Sequence, residues 1–241
     1  MSVTIAIVQP NYLPWLGYFD QMRRADLFVF YDDEQFVRKS WASRNRVRGH
    51  DGQPTWLSVA VSHGAGQSDA RYLPSFPMLN KAPIDQYWAK RTGHAQKMRQ
   101  WYRDARYTAE ILDEFEQVAH QPYENLADLN IAVIEWMAAR LGIHTPTTRS
   151  SLLDISLDLD TTARPLAICR HFGANNFLCG PTARAYILES EFTRVGVEIE
   201  WHDFINHHPT YTQHREPFMP NLSAMDYLLC NGAGWPTQAD N

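Results

Sequence analysis

Cysteine is scarce in this chain of 241 residues, which carries three. Cys169, Cys179 and Cys230 are scattered, odd in number and never spaced as C-x-x-C. That excludes a disulfide frame and a zinc ribbon, and it reads as reduced thiols, so a cytoplasmic protein is expected. Basic charge is short as well. Lys and Arg number 22 against 27 Asp and Glu, a net of -5. A general nucleic-acid coat shows the opposite balance, so no general nucleic-acid binding is expected, and only a local basic patch stays open. No apolar run approaches the roughly 18 residues of a membrane span. The opening "MSVTIAIVQP" has no basic n-region and no cleavage site, which excludes a signal peptide. Also missing are G-x-G-x-x-G, H-E-x-x-H, internal repeats and low-complexity segments.

What is present suits a globular protein. The hydrophobic share is 44%, and the length is enough for one sizeable core. "VTIAIVQ" reads as a strand ending at Pro10, and "GYFDQMRRAD" as a helix with Phe19, Met22 and Ala25 on one face. "LFVFYDD" is a second buried strand, so the three form a βαβ unit with parallel strands. "PTWLSVAV" is a third strand, and Gly64 to Gly66 is a loop. "TAEILDEFEQVAH" and "NLADLNIAVIEWMAARLG" are helical by period, with Gly142 as a stop. "TTARPLAICRHFG" reads as a helix with a Thr cap, "ANNFLC" as a strand, "GPTARAYILESEFTRVG" as a helix and "VEIEWHDF" as a strand. A short helix at "SAMDYLLC" follows. The pattern predicts one α/β domain over residues 1–241. It has a Rossmann-like, mostly parallel sheet and a helical insert or lid over about 80–142.

In such sheets ligands bind beyond the carboxyl ends of the strands. "QPNYLPWLGYFDQM" follows the first strand and brings Gln9, Asn11, Tyr12 and Trp15 there. Gly17 would let the helix start approach an anion; the alternative is a rigid turn whose Trp15 and Tyr18 pack as core. "YDDEQFVRKSWASRNRVRG" reads as a loop after the second strand, with Asp32 and Asp33 at the strand end and Arg44, Asn45 and Arg46 beyond. Carboxylates there can bind hydroxyls or act as a base, and guanidinium forks suit phosphate or carboxylate. A solvated loop with surface ion pairs is the plainer reading. "FLCGPTAR" sets Gly180 and Arg184 at a helix start that could cradle an anion, with Cys179 as a small buried thiol or a nucleophile. His202, His207, His208 and His214 are irregularly spaced with Asp203, so no metal site is expected. His94 lies on a helix.

These segments together resemble the WbqC-like family. "IAIVQPNYLPWLGYFDQM", "YDDEQFVRKSWASRNRVR" and "WLSVAV" carry the likeness, as do "GANNFLCGPTARAYI" and "VEIEWHDF", from about residue 4 to 232. The family pattern falls on Gln9, Pro10, Tyr12, Pro14, Trp15, Gly17 and Phe19, then on Asp32, Asp33, Gln35, Trp41, Arg44, Asn45 and Arg46. A family histidine eight residues before a Tyr matches His94 and Tyr102, and Gly180, Pro181 and Tyr186 follow. A serine is common where this chain has Cys179, and a Lys-His pair is usual where Gly93 precedes His94. The resemblance implies a biosynthetic role, as the genes of members tend to lie among those for O-antigen, capsule and other specialised biosynthesis. It names no reaction and no cofactor.

Three functions are compatible with this reading. The first is transfer of an acyl or aminoacyl group onto an amine of a sugar or specialised metabolite. Asp33 or His94 would be the base, Tyr12 or Asn45 would hydrogen-bond the carbonyl oxygen, and Arg44 and Arg46 would hold a nucleotide-, CoA- or carrier-activated donor. Asp33→Asn is then expected to abolish turnover and spare the fold. The second is nucleotidyl transfer on a related fold, weakened by the lack of H-x-G-H. The third is a non-catalytic protein that binds a nucleotide-sugar or a partner through exposed aromatics.

Overall fold

The computed structural model describes residues 2–61, 76–85 and 87–236. The expected loop at Gly64 to Gly66 lies outside them. Strand β1 (Thr4–Val8), helix α1 (Leu16–Arg24) and strand β2 (Leu27–Phe30) form the βαβ unit that the apolar runs predict. β1 and β2 pair in parallel from Ile5 opposite Leu27 to Val8 opposite Phe30. The later strands are β5 (Thr147–Arg149), β6 (Asn176–Cys179) and β7 (Glu198–Trp201). The five-stranded sheet has the order β5-β2-β1-β6-β7, and all its pairs are parallel. The chain therefore winds out from β1 on one side, returns, and winds out on the other. This is a doubly wound α/β sheet whose order reverses between β1 and β6.

The β1–β6 ladder consists of Thr4 opposite Asn176 and Ile5 opposite Phe177 and goes no further. In sheets of this kind a crevice can form at the reversal, outside the carboxyl ends of the strands.

Side-chain alternation divides the core into two layers. Ala6, Phe28 and Phe30 point to one side, where they join Leu16, Phe19 and Met22 of α1. The same layer holds the helices that precede β5: α2 (Trp88–Thr92), α3 (His94–Trp101), α4 (Thr108–Ala119) and α5 (Leu126–Arg140), with α8 (Ala224–Asn231) near the end of the chain. Ile5, Val29 and Phe177 point to the other side, against α6 (Ala163–His171) and α7 (Glu189–Arg194). Gly142 ends α5 at φ 74°, a left-handed conformation that favours glycine. Among the described residues no helix is long and apolar enough to cross a membrane.

Four expectations are corrected. "PTWLSVAV" is a strand, β4 (Pro54–Ser58), but it stands outside the main sheet. Its partner is β3 (Arg44–Arg48), antiparallel, inside the run expected to be a loop. Asn45 and Val47 are buried while Arg44 and Arg46 face outward, and the charged outer positions mask the alternation. "GPTARAYILESEFTRVG" is two pieces, a 3-10 turn at Pro181–Ala185 and α7, separated at Tyr186 to Leu188. The cap of α6 is Asp160, whose Oδ1 accepts from the Thr162 and Ala163 N–H groups; the Thr162 hydroxyl instead reaches the Tyr186 carbonyl.

Candidate functional site

The two aspartates at the end of β2 are closed by internal bonds. Asp32 is fully buried and accepts from Arg149 Nε at 2.7 Å, Ser151 N at 3.0 Å and Ser151 Oγ at 2.8 Å. Asp33 Oδ2 pairs with Arg164 Nη2 at 2.5 Å, both side chains being buried. The Ser150 hydroxyl lies near both carboxylates and makes its short contact with Asp33. A hydroxyl has one proton to give, so that proton goes to Asp33. Asp32 thus ties β2 to the segment after β5, and Asp33 ties it to α6. Arg149, Ser150, Ser151 and Arg164 went unnoticed in the sequence because they lie on a three-residue strand, the turn after it and a helix far along the chain.

Glu34, third in the acidic run, is different. Its side chain is 37% exposed, with Arg164 Nη1 3.8 Å away. Burial raises its carboxyl, while the Tyr31 hydroxyl and Arg164 pull it back and Asp33 pushes it up again. Arg164 also lies over the Tyr31 ring, 4.9 Å from the centroid. Tyr186 follows β6, is 53% exposed, and its phenol is raised by burial and by the charges of Cys179 and Glu34. Groups from the ends of β2 and β6 thus come together on either side of β1. Between them β1 delivers Gln9 and Asn11, both half-buried, whose side-chain amides make no hydrogen bond among the described residues. Free amide donors and a partly exposed carboxyl at neighbouring strand ends are groups a substrate site can use.

The rest of the opening loop is walled in. Tyr12 and Leu13 are fully buried, and Leu13 holds φ 45°, a conformation costly for a non-glycine residue. Asn130 of α5 donates to the Pro10 and Ala42 carbonyls at 2.8 and 2.7 Å. Ala224 N donates to the Pro14 carbonyl at 2.7 Å. The Tyr12 hydroxyl meets His94 Nδ1 at 2.8 Å under the edge of Trp88. Burial, and then Lys97, lower His94 to about 3, so it is neutral at pH 7. Neither Tyr12 nor His94 reaches solvent. At Gly17 a Cβ would lie 2.3 Å from the Trp15 ring, so the missing side chain there admits an indole. Tyr102 is likewise structural, its hydroxyl donating to Asp226 at 2.6 Å and accepting from Arg48 N at 2.8 Å.

The hairpin separates three residues that the sequence set side by side. Asn45 turns inward, and its Oδ1 accepts from Arg46 N. Arg44 and Arg46 turn outward with Trp56. The Arg44 guanidinium lies 3.9 Å from the Trp56 centroid, and Arg46 lies 5.4 Å from Trp56 and 5.8 Å from Trp41. Trp41 and Trp56 are both exposed, with centroids 5.4 Å apart. Neither arginine has an ion-pair partner among the described residues, and both Nε atoms lack one. The face adjoins the opening loop, since Tyr12 N donates to the Trp41 carbonyl at 3.0 Å.

After β6, Gly180 caps a turn of five residues, Pro181–Ala185. Arg184 is exposed and lies 4.9 Å over Trp201. Burial pushes the Cys179 thiol up to about 12, which leaves it protonated. The histidines do not converge. His202 is buried with Nε2 2.8 Å from Asp20 and Nδ1 3.2 Å from Gln21, whereas His207 is exposed, 3.9 Å from Asp203.

A doubly wound α/β protein whose strand order reverses between β1 and β6 is the class these features define. The chain belongs to the WbqC-like protein family, whose pattern it matches over residues 9–235. It is 32% identical over 234 residues to the uncharacterized protein Rv1507c of Mycobacterium tuberculosis, covering 96% of this chain and 95% of that one. No solved structure matches it.

Proposed function

We propose that the chain is a biosynthetic enzyme that transfers an acyl or aminoacyl group onto an amine of a sugar or specialised metabolite. One observation carries the proposal: the carboxyl ends of the adjacent parallel strands β1 and β2 lead into Gln9 and Asn11, whose amides are unpaired, and into the partly exposed, raised carboxyl of Glu34. The amine nitrogen attacks the acyl carbon, and a C–N bond forms. Glu34, in its ionised form, takes the proton the amine loses, and its raised carboxyl makes it a stronger base than an ordinary carboxylate. An amide N–H of Gln9 or Asn11 faces the oxygen on which charge develops. The bond to the donor then breaks, and its leaving group departs with the electron pair and regains a proton. Asp33 serves by holding Arg164, which steadies Tyr31 and Glu34. The outward face of Arg44, Arg46, Trp41 and Trp56 suits the phosphates and flat base of a nucleotide- or CoA-activated donor.

Native mass spectrometry with ATP, acyl-CoA, nucleotide-sugars and an aminoacyl-nucleotide tests this. Selective binding of acyl-CoA or the aminoacyl-nucleotide is expected, with loss in Arg44→Ala. With an amine acceptor added, Glu34→Gln should bind donor and fail to turn it over. Binding of ATP alone would turn the reading to nucleotidyl transfer. The exposed Trp41 and Trp56 also fit a non-catalytic binder, which would keep its ligand unchanged whatever acceptor is added.

A further inference from the structure

Away from these strand ends, one cluster joins a thiol, an imidazole and a carboxylate. Asp226 and Cys230 stand four residues apart on α8 and so share a face, and His214 comes from the segment between β7 and α8. The ligand atoms of all three lie within 4.8 Å of one another. Cys230 Sγ and His214 Nδ1 are 3.8 Å apart. Bonds of about 2.3 Å to sulfur and about 2.0 Å to nitrogen at a tetrahedral angle would set these atoms about 3.5 Å apart across a zinc ion. Sγ faces this ring and the His214 backbone, and the buried Nε2 of His214 makes no hydrogen bond among the described residues.

The surroundings hold the donors in place. The His214 ring packs on Tyr102 with centroids 4.3 Å apart. Asp226 accepts from the hydroxyls of Tyr102 and Tyr211 and from Gln213 Nε2. Three donors leave one of its roughly four lone-pair sites free, and such partners commonly orient a ligating carboxylate. A cavity of about 410 Å³ opens on His214 and Cys230, with Asp104 in its wall. Arg48 and Arg215 oppose a cation here, so the carboxylate of Asp226 and the thiolate of Cys230 must offset them, and neutral acceptors fix where the two guanidiniums lie. Arg48 donates to Gln213 Oε1 and the Pro217 carbonyl, and Arg215 donates to the His50 carbonyl.

We propose that His214, Asp226 and Cys230 form a site for a zinc-class divalent cation, with a fourth position open to the cavity. The irregular histidine run hid it, since the run supplies one ligand and α8 supplies two. On binding, the thiol yields its proton to solvent and a metal–sulfur bond forms. The imidazole binds through Nδ1 and keeps its proton on Nε2. No electron is transferred.

The test is a Co²⁺ titration of the metal-stripped, full-length protein. A thiolate-to-cobalt charge-transfer band should grow to a one-to-one end point and vanish when Zn²⁺ is added. Cys230→Ser should lose the band and weaken zinc binding at least 100-fold, and His214→Ala should weaken it similarly. Absence of the band in the unmodified protein would overturn the proposal without reference to any variant. So would zinc binding unchanged in both variants.

Discussion

After β2 the chain sets three carboxylates in a row, and a few residues later a hairpin sets three arginines at alternate positions. The two regions treat charge in opposite ways. Asp32 and Asp33 are buried, and their oxygens are taken by Arg149, Arg164 and the serines at 150 and 151. Arg44 and Arg46 are stacked on indoles and carry no counter-ion among the described residues. A group that is satisfied internally holds the fold, whereas a group left unsatisfied at the surface is available to a ligand. Glu34 and Arg48 sharpen the contrast from inside each region. Glu34 is the acid that reaches solvent, and Arg48 is the arginine that is closed in, held by Gln213 and the Pro217 carbonyl.

The largest effect should come from breaking the closed pair. Arg164→Ala or Asp33→Ala leaves a buried charge without its partner and should cost about 3–5 kcal/mol. Urea denaturation measures it. Asp33→Asn should also destabilise, contrary to the expectation that it spares the fold, because the amide cannot neutralise Arg164. A loss under about 1 kcal/mol in these variants would mean that Asp33 is free for chemistry, and the contrast between the two regions would fail.

A second effect comes from His94. Its folded value of about 3 lies below the usual 6.5. Its contribution to stability is therefore complete above about pH 6.5 and is lost as pH falls from there towards 3. By about pH 4.5 the loss is about 3 kcal/mol. His94→Gln should flatten this part of the stability profile relative to the parent, with the other histidines cancelling in the difference. An unchanged slope would show that the imidazole is already charged and open to solvent, which would return it to the list of candidate bases.

The order of these effects shows what could be read from the sequence. Apolar period located β1, α1, β2, α5 and β6, because those elements present a clean face to the core. It missed β5, three residues reading Thr-Thr-Arg, and it missed β3, whose outer positions are arginines. The candidate residues after β1 and β2 were found by type, and their states were not. Whether an aspartate is free depends on partners such as Ser150 and Arg164, which lie 117 and 131 residues from Asp33 in the chain. Glu34 was passed over because nothing local separates it from its two neighbours. Trp15 and Gly17 illustrate the same limit: an indole folded back over a helix start cannot be read from a Trp-Leu-Gly string.

That indole gives a third, smaller effect. Gly17→Ala gains about 1 kcal/mol of helix propensity, but the new methyl meets the Trp15 ring at 2.3 Å. Phe204 and His208 pack against that ring, so it has little room to give. Overpacking costs about 1–3 kcal/mol, and a net loss is expected together with a shift in tryptophan emission. A gain in stability with unchanged emission would show that Trp15 is mobile, and the opening loop would then belong with the open region.

The smallest effect on stability should fall on the hairpin face, and it decides the comparison. Arg44→Ala and Trp56→Ala each remove one side of a stacked pair at the surface, worth about 0.5–1 kcal/mol. Thermal unfolding should therefore barely move. Donor binding should weaken at least tenfold, which corresponds to about 1.4 kcal/mol, because the ligand loses both charge and a flat contact. Raising the ionic strength should weaken the parent protein in the same direction, since exposed charges are screened. If instead either variant lost more than about 2 kcal/mol of stability and bound every donor as before, the stacks would be internal struts. The hairpin would then be as closed as the aspartates, and of the charges compared in these two regions Glu34 would be left as the open one.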